Sequence, residues 1–287
     1  MGINIRTNVE SLRAQRDLNA STSKLRTSYA RLSSGLRITT AADDAAGLAI
    51  AEQLRADSRI ATVAIRNAND GISVIAITDG ALDQVTTALI RMAELAEQSA
   101  NGVFSNVQRS ALQLEFSAIG SEIERIALTT EFNGVAVLSN PNTVTFQVGF
   151  DGQSSSQIAY SGIQATLQAL GLATSGSSTL NFAITGSTDN LSQVSSRSAL
   201  DAIQLAISSI TRARGTLGAA ESRLNVAIEN LQVARENFQA AESRIRDVDV
   251  AQESAELTRL NILQQAAAAV LGQANQQPQL ALSLLQG

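Results

Sequence analysis

Large apolar residues recur every seven positions in the C-terminal third of the chain: Ile203, Ile210, Leu217, Leu224, Leu231, Phe238 and Ile245. Three places after each stand Ala206, Ala213, Ala220, Ala227, Ala234, Ala241 and Val248. This is a heptad seam with a bulky residue at one site and almost always alanine at the other, the pattern of a helix lying against partner helices. No proline interrupts 197–248, and Gly215 and Gly218 each weaken the helix by only about 1 kcal/mol relative to alanine. At about 1.5 Å per residue the stretch spans roughly 75 Å. A compact chain of 287 residues is only about 50 Å across. The seam therefore predicts an elongated molecule, a rod.

Other segments supply partners for it. Residues 44–100 repeat the three–four spacing through Ala51, Leu54, Ala61, Ile65, Ala68, Ile72, Ile75, Leu82, Leu89, Ala93 and Ala96. The register continues across Asn69-Asp70-Gly71, so one helix is expected to run through that turn-like tripeptide. Leu112, Phe116, Ile119, Ile123 and Ile126 mark a further helix over 106–129, set off by an Asn101-Gly102 turn. Three helices of matching pattern predict an antiparallel bundle. The first forty residues form another amphipathic helix through Leu18, Thr22, Leu25, Tyr29, Leu32 and Leu36. The last forty do likewise through Leu260, Leu263, Ala267, Val270 and Ala274, with an end expected before Pro278. Ser33-Ser34-Gly35 and Thr39-Thr40 mark the break after the first helix.

The middle of the chain follows a different period. Between 140 and 196 the charged residues are Asp151 and Asp189, and Ser, Thr, Gly, Asn and Gln dominate. Val144, Phe146, Val148 and Phe150 alternate with polar neighbours, as in a half-buried strand. Asp151-Gly152 offers a turn, Ile158 and Tyr160 a return strand, and Leu180, Phe182 and Ile184 one more. The expected fold class is mainly α: an elongated antiparallel helical bundle or coiled coil carrying a small β-hairpin insertion that faces solvent at one end. The expected segments are 1–42 (terminal helix), 43–140 (rod, N-terminal helices), 141–196 (β-rich insertion), 197–246 (rod, long helix) and 247–287 (terminal helix).

Composition narrows the function. Hydrophobic residues make up 44% but aromatics only 3%, which suits thin helix–helix seams better than a thick core. His and Cys are absent, removing His-based acid–base chemistry, Cys nucleophiles, disulfides and nearly every zinc, haem or iron–sulfur site. An enzyme is not expected, nor a cofactor. The net charge of −5 argues against nucleic acid as a partner. Residues 1–40 nonetheless carry Arg6, Arg13, Arg16, Lys24, Arg26, Arg31 and Arg37 against Glu10 and Asp17, while 41–140 and 246–287 are net acidic. The basic head can therefore pair within the chain. Membrane insertion is not expected, because no apolar run is long enough to cross a bilayer. Without a hydrophobic leader core near Met1, these residues alone point to the cytoplasm.

Local motifs add little chemistry. Asp43 and Asp44 suggest a carboxylate pair, but a helix N-cap from Asp43 or Thr40 is the expected role. Asp247 and Asp249 lack the further oxygen ligands of a calcium loop. Asn19-Ala20-Ser21 and Asn190-Leu191-Ser192 match the short N-glycosylation pattern, which chance explains. The Ser/Thr-rich insertion is either a solvated loop or a carrier of O-linked sugars.

Several stretches, taken in order, resemble one family. They are Ile5-Arg6-Thr7-Asn8; Leu32-Ser33-Ser34-Gly35-Leu36-Arg37-Ile38; Ala41-Ala42-Asp43-Asp44-Ala45-Ala46-Gly47-Leu48-Ala49-Ile50; Glu97-Gln98-Ser99-Ala100-Asn101-Gly102; and Phe132-Asn133-Gly134. Ala241 to Val250, Ile262-Leu263-Gln264-Gln265-Ala266 and Leu282-Ser283-Leu284-Leu285 follow near the end. Together they resemble bacterial flagellin, the subunit of the flagellar filament, over nearly the whole chain. The resemblance implies an inner coiled coil made by the two termini, a helical rod with a small β part, and little or no outer domain. It implies export as an unfolded chain through the flagellar type III apparatus without a cleaved signal peptide, hence an extracellular location rather than the cytoplasm. Implied partners are other copies of the chain, an export chaperone at the C-terminal segment, filament cap and junction proteins, and a host innate immune receptor touching Arg91, Leu95 and Glu115. The alternative within the superfamily is a hook–filament junction protein; outside it, a membrane-surface amphipathic protein.

Polymer formation is also expected from the residues themselves. Two amphipathic helices cover only one stripe on each other, leaving Val9, Leu12, Val270 and Leu271 in need of further cover. Sister copies supply it by head-to-tail contacts that propagate as filaments. The expected interface residues are Leu18, Leu25, Leu32, Leu260, Leu263, Val270 and Leu271. Isolated end helices are marginal in water, so they are expected to be disordered in the monomer and to fold on assembly.

Overall fold

The computed structural model describes residues 7–174 and 176–286, with side chains described as far as Gln276. Five α-helices appear among the described residues: α1 (Val9–Ser34), α2 (Ala45–Ala100), α3 (Asn106–Thr129), α4 (Asp189–Arg246) and α5 (Val250–Gln286). Between α3 and α4 lie β1 (Glu131–Phe132), β2 (Val135–Ala136), β3 (Val144–Gln147) and β4 (Gln157–Tyr160). The chain forms two compact units, one of residues 1–58 with 236–287, the other of residues 59–235. Neither boundary coincides with a helix end, so α2 and α4 each contribute to both.

Within the 59–235 unit, the heptad seam is the core of a bundle. Ile203, Ile210, Leu217, Leu224 and Leu231 are all buried, with Ala206 and Ala220 beside them. Leu231 packs with Ala61 and Ala64, and Arg214 bonds Asp79 and Asp83. Rising numbers on α2 thus meet falling numbers on α4, and the two are antiparallel. Arg91 of α2 pairs with Glu115 of α3, while the start of α3 reaches Asp189 at the start of α4. So α3 also runs against α2. The helix persists through Asn69-Asp70-Gly71 as the register predicts. A Cβ at Gly71 would sit 3.1 Å from the Phe146 ring and 3.2 Å from Leu224 Cδ1. Glycine there lets β3 lie close against α2.

That contact corrects the expectation of a solvent-facing insertion. Val148, Ile158, Tyr160, Ile163, Leu167, Leu172 and Ile184 are buried in the same core as Leu82, Leu89, Met92, Phe116 and Ile123. β3 and β4 pair antiparallel, Val144 opposite Tyr160 and Gln147 opposite Gln157, as the alternation predicts. The expected third strand at Leu180–Ile184 is absent among the described residues; an isolated bridge joins Leu180 to Ala173. Helix side chains satisfy its backbone instead. Gln113 Oε1 accepts from Ile184 N (2.6 Å), and Ser99 Oγ (2.6 Å) and Ser196 Oγ (3.1 Å) donate to Ile184 O. Glu124 likewise accepts from Leu167 N at 2.7 Å. A buried irregular segment must pair its amides somewhere, and polar residues on the helices provide the partners. A short hairpin, β1–β2, turns on Asn133 (φ 50°) and Gly134 (φ 74°), the left-handed pair that a two-residue turn requires.

Gly215 differs from Gly71. Nothing lies within 4 Å of a Cβ built on it, and it sits inside α4. Gly215→Ala is expected to raise stability by about 1 kcal/mol through helix propensity alone, read as a shift in urea midpoint at unchanged slope. An unchanged or lowered midpoint would mean the backbone needs glycine there.

Candidate functional site

The unit of residues 1–58 and 236–287 is built on a two-helix pair. Asn8 caps α1, its Oδ1 accepting from Ser11 N at 3.0 Å. Gly35, in the left-handed region at φ 73°, ends the helix by donating to Arg31 O at 2.9 Å. The next loop is held by Asp43, whose Oδ2 accepts from the amides and hydroxyls of both Thr39 and Thr40. The backbone N–H of Thr40, then the Thr39 hydroxyl and amide, lower the pKa of the Asp43 carboxyl to about 2. The cap of α2 is Asp44, which accepts from Gly47 N at 2.9 Å. This corrects the expected cap, Asp43 or Thr40: those residues bond to one another and leave the helix N-terminus to the next carboxylate. Asp249 caps α5 by accepting from Ala251 N (2.9 Å) and Gln252 N (3.1 Å). Backbone bonds tie the two breaks together, Arg37 N to Arg246 O (2.6 Å) and Val248 N to Gly35 O (3.0 Å).

α1 and α5 are antiparallel, since Asn8 and Ser11 bond Ala274 and Asn275 while Thr22 meets Gln264. Charge follows the same pairing: Arg259, one turn away, and then Lys24 across the pair hold the Glu256 carboxyl below its ordinary value. The seam is thin. Ser11, Ala14, Leu25 and Ser28 of α1 are buried, with Leu260 and Ala274 of α5. Tyr29, expected on this stripe, is instead 51% exposed; Ser28 takes the inward position because a small side chain lets the helices approach.

The seven expected interface residues divide. Leu25 and Leu260 are buried inside the chain's own pair, which corrects their expected place at the interface between copies. Leu18, Leu32 and Leu271 are half-buried, and Leu263 and Val270 are exposed. Val9, Leu12 and Ile262 join the exposed group, the last at 60%. Sequence pattern passes over Ile262 in favour of Leu263 because both fit a helical stripe; Ile262, Ala266 and Val270 form a second stripe at the same period. α5 also continues past Pro278 to Gln286, contrary to the expected end. Leu282–Leu285 lie beyond the described side chains. Of the seam residues, Phe238 and Ile245 fall in this unit and are half-buried.

The three expected receptor residues also divide. Arg91 donates to Glu115 (2.9 Å) and Glu94 (2.9 Å) on an exposed surface. Leu95 is fully buried, so its role is core packing, a correction to the expectation of contact. Among the described residues no group of three or more acidic side chains is placed to hold a metal, and no helix is long and apolar enough to cross a membrane. An open groove of about 720 Å³ lies between the β3–β4 hairpin and α4, lined by Phe150, Ile158, Val226 and Leu231. Its walls present no convergent acid–base pair. The arrangement is one of packing surfaces.

Comparison with known proteins bears on the same segments. Residues 5–143 match the bacterial flagellin N-terminal helical region, and 200–285 match the bacterial flagellin C-terminal helical region. A flagellin of Halalkalibacterium halodurans is 44% identical over 282 residues, covering 98% of this chain and 99% of the relative. The chain belongs to the bacterial flagellin family. The flagellar filament 33 kDa core protein of Treponema phagedenis is 38% identical over 98% of this flagellin chain and 99% of its own length. Flagellin B of Vibrio cholerae is 32% identical over 375 aligned positions, covering 99% of this chain and all of the relative. The longer alignment means that the Vibrio protein holds residues with no counterpart in this flagellin. A chain of 287 residues has room for little outer domain.

Proposed function

We propose that copies of this chain polymerise through the outward faces of α1 and α5. The chain is a structural subunit of the bacterial flagellar filament, an assembly that lies outside the cell. The reading of the interface rests on one observation: after α1 and α5 have covered each other, Val9, Leu12, Ile262 and Val270 still present apolar side chains to solvent. Uncovered apolar side chains on both members of the α1–α5 pair support an association surface there. Neighbouring copies bury it by contacts between unlike faces, which propagate instead of closing. Family membership supports the finer partners: a type III export route for the unfolded chain, a chaperone at the C-terminal segment, and cap and junction proteins at the filament ends. For an innate immune receptor, Arg91 and Glu115 are the exposed candidates.

Electron microscopy of purified protein after seeding tests the assembly reading. Threads of uniform diameter are the expected result, and protein that stays as single particles at high concentration and with seeds overturns it.

A further inference from the structure

Proline has no N–H, so Pro278 cannot make the bond that residue 278 of a helix owes to the carbonyl of Ala274. Ala274 is only 7% exposed, which leaves that carbonyl little access to water. It is not left unpaired: Asn8 Nδ2 donates to Ala274 O at 2.8 Å. The other end of the same carboxamide, Oδ1, accepts from Ser11 N at the start of α1. One turn further on, Ser11 Oγ donates to Asn275 Oδ1 at 2.7 Å.

We propose that Asn8 is a two-ended cap, joining the first turn of α1 to the carbonyl released by Pro278, and that this latch sets the register of the α1–α5 pair. The long apolar stripes cannot do so alone. A small-residue seam of Ser11, Ala14 and Ala274 tolerates sliding by a helical turn, whereas a single unpaired carbonyl has one partner position. The proline supplies the address and the asparagine reads it. The latch also makes the start of α1 and the later turns of α5 order together.

The substitution that separates the two ends of the cap is Asn8→Asp. Aspartate keeps the acceptor and is an equally good N-cap, with charge favourable at a helix N-terminus. If Asn8 only caps α1, N8D is neutral or stabilising. As a latch, the ionised carboxylate has no donor for Ala274 O. Protection of the α1 amides against hydrogen exchange then falls about tenfold relative to wild type, the effect of one unsatisfied buried acceptor. Pro278→Ala returns an N–H to that carbonyl, so in the P278A background N8D changes exchange less than about twofold, a non-additivity only contacting sites produce. Equal effects in both backgrounds, or a neutral N8D in wild type, overturn the proposal.

Should P278A lose its helices, pH decides. Once protonated, the carboxyl introduced by N8D can donate again, so the N8D deficit relative to wild type disappears in acid, wild type at the same pH cancelling the titration of Glu10 and its neighbours. A deficit equal at neutral and acid pH overturns the latch. The proposal rests on the assembly reading only for the state in which it is measured. Exchange is read in filaments, or in the single particle should wild type not polymerise, so failure of assembly and failure of the latch are separate results.

Discussion

Arg109→Met is expected to destabilise the 59–235 unit more than any other single polar change, by about 2–4 kcal/mol. The Arg109 side chain is fully buried. Its Nε donates to Ser99 O (2.9 Å), one terminal nitrogen to Asn101 O (2.9 Å) and the other to Asp189 (3.0 Å). Ser99 lies in the last turn of α2, where carbonyls lack intrahelical partners and a cation is favoured. Asp189 begins α4, where a carboxylate is favoured. One guanidinium thus closes the end of α2, the loop after it and the start of α4. Methionine keeps the stem's volume, leaves the buried Ser99 carbonyl unpaired at about 1–3 kcal/mol, and leaves Asn101 O only the long bond from Phe104 N (3.5 Å). Asp189→Asn, by contrast, is expected to cost under about 1 kcal/mol, because the aspartate is 62% exposed. Urea unfolding of the monomer followed by helical circular dichroism distinguishes them. An R109M midpoint close to that of wild type would refute the assignment.

The second large effect is on assembly rather than stability. Val270→Asp and Ile262→Asp are each expected to raise the concentration needed for seeded growth by more than about 100-fold, since a carboxylate replaces apolar surface buried between copies. Neither should move the urea midpoint of the monomer, because these side chains are 59% and 60% exposed in the single chain. Pelleting assays at graded concentration give the first quantity and denaturation the second. Assembly at the wild-type concentration would place the interface elsewhere; a lowered midpoint would make the residues part of the fold.

The helices are legible in the sequence because burial has a period. Ile203 to Leu231 repeat every seven residues and all five are buried, and the same rhythm carries α2 correctly through Gly71. What pattern alone misjudges is which face of an end helix meets what. Leu25 and Leu263 look alike in sequence; one is covered by the chain's own partner helix and the other is not, and only the pairing of α1 with α5 decides. The insertion is misplaced by pattern for a related reason. Ile163, Leu167 and Leu172 follow neither period, so their burial depends on distant helix residues such as Gln113, Glu124 and Ser99 taking up backbone groups of the segment. Arg109 carries no signal at all: an arginine on a helix reads as a solvated face until the ends of three helices meet around it. Pro278 reads as a stop signal, and α5 runs through it.

The proposed assembly depends on α1 and α5 surfaces that are completed only between copies. Hydrogen exchange along residues 7–34 and 250–276, measured in the purified monomer and again in seeded filaments, tests this most directly. Weak protection in the monomer and strong protection in the filament is the expected pair of results. Strong protection of both stretches in a monomer that never polymerises would contradict it.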